Sequence, residues 1–202
     1  TRDASTEAER SSGKLSWIIP FFIAIWTLTG GQMTAIDATA GEKERGTLES
    51  LLVAPVRRSE VVVGKFLATM LFGLTAALMA IVGYVAGGSV ITRMIGSRLG
   101  GEGAELVEMM GGSLTVTPGS VLLLLVSSIL LAATIASLLL FITMFARSFK
   151  EAQSYIAPLS FIMVIPVLAL QFASLLDLGD WVYAVPIVNS LLLMDEVVKG
   201  AA

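Results

Sequence analysis

The chain contains no cysteine and no histidine. Without cysteine there is no disulfide framework and no redox compartment to infer. Without histidine the commonest general base and the commonest metal ligand are both missing. Charge is scarce as well. Only 14% of the 202 residues are charged, against roughly 25% in an average soluble chain. The formal net charge of -3 is too small to point to nucleic acid as a partner. What is present is apolar: 55% of the residues are hydrophobic, and the mean hydropathy is +0.86. That balance defines an all-α integral membrane protein, a polytopic helical bundle in the lipid bilayer.

The same absences narrow the chemistry. A serine-type intramembrane protease needs a histidine base. An aspartyl type needs paired intramembrane aspartates, yet Asp37, Asp177 and Asp180 all sit at the edges of apolar runs, and the GxGD arrangement is missing. A serine–lysine dyad built on Lys65 has no supporting motif. The phosphate-binding pattern G-x-x-x-x-G-K-[ST] is also missing. Gly64-Lys65 is followed by Phe66, and Ser59 stands where the first glycine belongs. The expectation is a non-catalytic chain with no metal site and no cofactor of its own. The first residue is Thr rather than Met and no signal peptide precedes the first apolar run, so we expect a piece of a longer chain.

Four apolar runs read as spanning helices, at about 17–36, 61–86, 120–145 and 155–175. The first has 20 residues, or about 30 Å of helix, which matches the hydrocarbon core. Residues 1–15 read as an external tail. Thr27, Gly31, Thr34 and Ala38 share one face of the first span. Two accounts of that face stand: small-residue packing against another helix, or the wall of a polar pathway with Gln32 and Asp37 nearby. Ser128, Ala132 and Ala136 form a second small-residue ridge, and Gly83 and Gly87 make a GxxxG. Gly87–Pro118 reads as a loop, with Glu102, Glu105 and Glu108 on one side of a short helix. Pro158 and Pro166 fall in the fourth span, where neighbours must satisfy the freed carbonyls. Residues 181–194 are too short to span and read as a re-entrant or interfacial segment.

Between the first two spans lies a charged island, GEKERGTLESLLVAPVRRSE, at 41–60. A charge at mid-bilayer costs about 2.5–3.5 kcal/mol, so the island sits at a membrane surface. Leu48, Leu51 and Leu52 have the spacing of one apolar helix face. Pro55 stops that helix, and Ser59 reads as the N-cap of the next. Because four spans alternate sides, 41–60 and 146–154 share a compartment. Together they hold Lys43, Arg45, Arg57, Arg58, Arg147 and Lys150, whereas 87–118 holds only Arg93 and Arg98. The basic density places 41–60 and 146–154 in the cytoplasm and 87–118 outside. A secondary transporter or channel is the competing class. It would need intramembrane charge to couple an ion gradient, and these spans are nearly charge-free.

Ile36-Asp37 and the run GEKERGTLESLLVAPVRRSEVVVGK resemble the cytoplasmic loop of ABC-2 type transporter permeases, most closely the sodium-extruding permease subfamily. RSFKEAQSY at 147–155, the Pro158/Pro166 helix and VPIVNSLLLM at 185–194 fit the same pattern. The resemblance covers nearly the whole chain from Trp17 on. It implies a type V exporter-like fold with six spans, of which this fragment lacks the first and last helices and most of an external domain. It implies that a coupling helix at about 42–54 docks on a separate ABC ATP-binding subunit, which holds the ATP and Mg. Glu42, Lys43, Glu44, Arg45, Thr47 and Glu49 would then meet that subunit. It further implies a permease homodimer or paralogous heterodimer in the cell's inner (plasma) membrane. Sodium is the substrate the subfamily implies, with Thr27, Gln32, Thr34 and Asp37 as oxygen donors of a hard-cation pathway. Related permeases move drugs, peptides or lipids instead.

Overall fold

The computed structural model describes residues 18–99, 118–171 and 186–198, all of them in helices or the short breaks between them. Helix α1 runs Ile18–Ile36 and passes without interruption into a π-helical turn, Asp37–Gly41, and a last α-turn, α2, at Glu42–Glu44. A short helix α3 follows at Thr47–Val53, then α4 at Arg58–Leu99, α5 at Pro118–Thr143, α6 at Phe149–Gln171 and α7 at Pro186–Val198. The readings for the tail at 1–15, the acidic spacing at 102–108, the edge aspartates Asp177 and Asp180 and residues 181–185 lie outside the described residues.

Helices α1 and α4 pack antiparallel, and glycine lets them close. A Cβ on Gly30 would lie 2.5 Å from the Ala76 Cβ and 3.0 Å from the Phe72 carbonyl oxygen. One on Gly73 would lie 3.0 Å from the Thr27 carbonyl oxygen. Gly31 faces Thr69 of α4 and Leu139 of α5. Backbones this near gain dispersion contacts that larger side chains would forbid. Thr27 and Gly31 thus lie in a close-packed seam with α4. Ser128, Ala132 and Ala136 of α5 are likewise buried. Gly83 and Gly87 are not: no described atom lies within 4 Å of a Cβ built on either.

The core threads through every long helix. Ile23, Leu28 and Ile36 of α1 join Leu131, Ile135 and Leu139 of α5. Ile156 and Met163 of α6 and Leu191 and Met194 of α7 complete it. Its buried hydroxyls are mostly satisfied within their own helices. Thr27, Thr39 and Thr143 donate to the carbonyls of Ile23, Ala35 and Leu139 at 2.6–2.8 Å, which keeps polar groups quiet in an apolar setting. Large apolar side chains also point outward, among them Phe22, Trp26, Leu71, Phe72, Met79, Leu122 and Leu130. Two described stretches, 58–83 of α4 and 122–143 of α5, are long and apolar enough to cross a membrane.

Three local readings change. α4 does not give way to loop at Gly87 but continues to Leu99, 42 residues in all. A glycine costs a helix only about 1 kcal/mol, and no proline intervenes before Leu99. Its length is about 63 Å at 1.5 Å per residue, twice the hydrocarbon core. The single helix expected over 42–54 is instead two pieces, broken at Gly46, which takes φ +69°. Only glycine adopts that left-handed conformation without strain. Finally, α4 starts at Arg58, so Ser59 is inside the first turn rather than capping it. Glu60 does the capping: its carboxylate accepts the Arg57 backbone N–H at 3.4 Å, as the glutamate of a capping box does.

Candidate functional site

The charged residues 42–45 lie where the extended first helix ends, beside the ends of α4, α5 and α6. Helix ends leave backbone groups unpaired, and much of the local chemistry answers that need. Arg45 N–H donates to the Gly41 carbonyl at 3.0 Å and Gly46 N–H to the Lys43 carbonyl at 3.2 Å. The Thr47 hydroxyl donates to the Glu42 carbonyl at 3.2 Å. These three bonds close the helix C-terminus and turn the chain into α3.

Each of the four charged side chains has a partner within the chain. Glu42 forms an ion pair with Lys65 of α4, and both side chains are partly buried. Lys43 donates to the Met144 carbonyl and, at 3.2 Å, to the Ala146 carbonyl. These carbonyls lie just past the C-terminus of α5, where a cation suits the helix dipole. Glu44 accepts the Phe149 backbone N–H at 2.7 Å. That is the first residue of α6, where a carboxylate suits the opposite dipole end. Arg45 pairs with Asp37 at 2.7 Å, both well exposed.

The π turn sets the rotation of this cluster. Eight residues of regular α-helix advance about 80° beyond two full turns, so Asp37 and Arg45 would not face each other. The extra residue wound into a π turn takes up about that angle and brings them together. Gly41 belongs to the same geometry. A Cβ there would lie 3.0 Å from the Asp37 Oδ1.

The α5–α6 junction is built to receive the cluster. Ser148 and Glu151 cap α6: the Ser148 hydroxyl accepts the Glu151 N–H at 3.3 Å, and the Glu151 carboxylate accepts the Arg147 N–H at 2.7 Å. The Tyr155 hydroxyl donates to Glu151 at 2.6 Å. This bond, with the Arg147 N–H, holds the Glu151 carboxyl below its ordinary pKa. Ala40, Ala146 and Ala152 are all buried in the core cluster, and their small side chains let the π turn seat against the junction.

Beyond the break, Glu49, Ser50 and Val53 of α3 are exposed, as are Val56, Arg57 and Arg58. The Val53 side chain is 86% exposed. The side chains of Leu48, Leu51 and Leu52, expected to anchor this helix, lie outside the described residues. The structure brings Glu42, Lys43, Glu44, Arg45 and Asp37 into one cluster with Thr47 at its edge, while Glu49 stands apart on α3. Thr27 is fully buried against α4, two or more turns of α1 from the cluster; Gln32 and Thr34 are part-buried between them. Sequence reasoning missed Lys65, Phe149 and the 144–146 carbonyls as partners. For the last two no signal exists, since a backbone group carries no residue signature.

A helical bundle with outward apolar rows, two of its helices long and apolar enough to span a bilayer, is the form of an integral membrane protein. The chain belongs to the ABC-2 family of transporter proteins, whose family model matches residues 3–183. It is 33% identical over 166 residues to the ABC transporter permease protein NatB of Bacillus subtilis (strain 168). That alignment takes in 82% of this chain and 40% of the relative, so the chain spans well under half of its length. No solved structure matches.

Proposed function

We propose that the chain is part of the membrane-spanning permease subunit of an ATP-driven ABC exporter that extrudes sodium ions. The spans are those at 17–36, 61–86, 120–145 and 155–175, with 181–194 re-entrant. Residues 41–60 and 146–154 face the cytoplasm and 87–118 the outside of the inner (plasma) membrane. The subunit works as a dimer with a separate ABC ATP-binding subunit, on which the ATP, the Mg and all catalysis reside. The observation that carries this reading is the elbow. It holds α3 at the end of the bundle, with Glu49, Ser50 and Val53 exposed, and ties its root to α4, α5 and α6. A push on α3 from a soluble partner thus has a route into the bundle.

Glu42, Lys43, Glu44, Arg45, Thr47 and Glu49 form the coupling region. The exposed parts of Glu44, Arg45, Thr47 and Glu49 meet the ATP-binding subunit. Sodium rests on the resemblance of the 41–65 stretch to the sodium-extruding subfamily and on oxygen donors suited to a hard cation. Thr27, Gln32, Thr34 and Asp37 are the proposed pathway residues.

The test is ATP-dependent sodium movement in vesicles holding the full-length permease and its ATP-binding subunit. Sodium efflux on ATP addition is expected. Transport driven instead by a proton or sodium gradient overturns the reading. Efflux of a drug, peptide or lipid in place of sodium corrects the substrate alone. Sodium efflux unchanged by Asp37→Asn removes Asp37 from the pathway.

A further inference from the structure

Lys43 and Glu44 are adjacent, opposite in charge, and bound to opposite helix ends. The Lys43 ammonium holds the free carbonyls of Met144 and Ala146 beyond α5. The Glu44 carboxylate holds the free Phe149 N–H that opens α6. Only 144–148 separate the two helices, so the pair grips both sides of one short junction. Each contact joins residues more than a hundred positions apart in the chain. Charge-assisted hydrogen bonds of this kind are shorter and stronger than neutral ones. The buried Ala40, Ala146 and Ala152 seat the π turn against the junction and leave little room for slip.

We propose that Lys43 and Glu44 are positioning residues that make the α3 elbow and the α5–α6 junction move as one body, passing a displacement of α3 to α6. The inference rests on the reading of 41–60 as the loop that receives the ATP-binding subunit. On this account the two residues act inward, through the ends of α5 and α6, more than as contacts to the partner.

The test uses the full-length permease with its ATP-binding subunit in lipid nanodiscs. Spin labels go on exposed positions: Ser50→Cys on α3, Gln153→Cys on α6 and Met79→Cys on α4. In the wild-type background, ATP should change the 79–153 distance and leave the 50–153 distance unchanged. In Lys43→Met/Glu44→Gln, the 50–153 distribution should broaden and the 79–153 response should vanish. Transport should fall about tenfold or more, the scale expected when a charge-assisted hydrogen bond is lost. Lys43→Arg, which keeps the donor, should restore the response. A double variant that keeps the wild-type 79–153 shift overturns the inference.

Amide exchange in the unmutated complex is the second measurement, and it does not depend on the variant folding. The amides of 45–47 and 149 should respond to ATP together; separate responses overturn the inference. Failure of the wild-type permease to bind any ATP-binding subunit is a different result. It sinks the functional reading itself.

Discussion

Asp37 and Arg45 stand eight residues apart, Arg45 capping the continuous helix that carries Asp37, and yet meet at 2.7 Å. The π turn between them makes this possible, since its extra residue offsets about 80° of rotation. A helix of this kind can lose one residue at little cost. Deleting Ala38 should convert the turn to α winding and leave residues 42–45 facing the same partners. Deleting Ala38 and Thr39 together should swing them about 100° around the axis and break all four contacts. Thermal unfolding of the detergent-solubilised protein checks this. The single deletion should melt near wild type and the double deletion well below it. Equal losses would show that the π turn does not set the register.

The Glu42–Lys65 pair differs from Asp37–Arg45 in burial: its side chains are 28% and 19% exposed, against 55% and 66%. Removing one partner of a shielded pair leaves the other charge uncompensated. Lys65→Met should therefore cost more stability than Glu42→Gln/Lys65→Met. The two changes should be non-additive by about 0.5–3 kcal/mol, the range for residues in direct contact. For Arg45→Ala and Asp37→Asn the corresponding coupling should be at the bottom of the exposed range, about 0.2–1 kcal/mol. A double-mutant cycle on unfolding free energies measures both. Similar coupling in the two pairs would mean burial is not what separates them.

Much of the bundle was legible in the sequence, because apolar runs and small-residue faces are local signals. The Ser128–Ala132–Ala136 ridge and the Thr27–Gly31 face are both buried where their spacing placed them. The elbow was legible as a charged segment but not as a geometry. Nothing in Asp37–Gly41 marks a π turn, since its residues are ordinary in an α-helix. The break at Gly46 was visible only as one glycine among several, and φ decides its role. The true cap of α4 did leave a trace, a glutamate three positions after Arg57, but Ser59 was the more conventional choice. Lys43 and Glu44 read as outward charges because their acceptors and donors are main-chain atoms a hundred residues away.

The α1–α4 contact offers a test of close packing. A Cβ on Gly30 would overlap the Ala76 Cβ at 2.5 Å and press the Phe72 carbonyl at 3.0 Å. Gly30→Ala should therefore force the helices apart and cost about 1–3 kcal/mol, the usual range for overpacking. Ala76→Gly removes the nearer of the two obstacles. Added to Gly30→Ala, it should recover part of the loss but not all, since the Phe72 carbonyl stays in place. Gly83→Ala, which meets no described atom within 4 Å, is the control: it should not destabilise, and helix propensity alone should make it more stable by up to about 1 kcal/mol. Thermal midpoints of the four proteins decide the matter. No rescue by Ala76→Gly would mean that the backbone, not the Ala76 methyl, limits the approach.

Glu151 gives a pH prediction with a definite sign. It precedes the proposed span at 155–175, and its carboxylate accepts from the Tyr155 hydroxyl and the Arg147 N–H. Both favour the ionised form and hold its pKa below the ordinary value of 4.5. A carboxyl with a lowered folded-state pKa stabilises the fold above its unfolded value, and that contribution disappears as pH falls through the folded one. The α6 cap should therefore be intact from neutral pH down to about 4.5 and weaken only below it. Protection factors for the Arg147 amide, corrected for intrinsic exchange, should be flat above that point and fall beneath it. In Glu151→Gln the acid-dependent step should be absent, because no titrating group remains at the cap. A step that begins above pH 4.5 in the wild type, or one that persists in Glu151→Gln, would assign the acid sensitivity of this junction to a group other than Glu151.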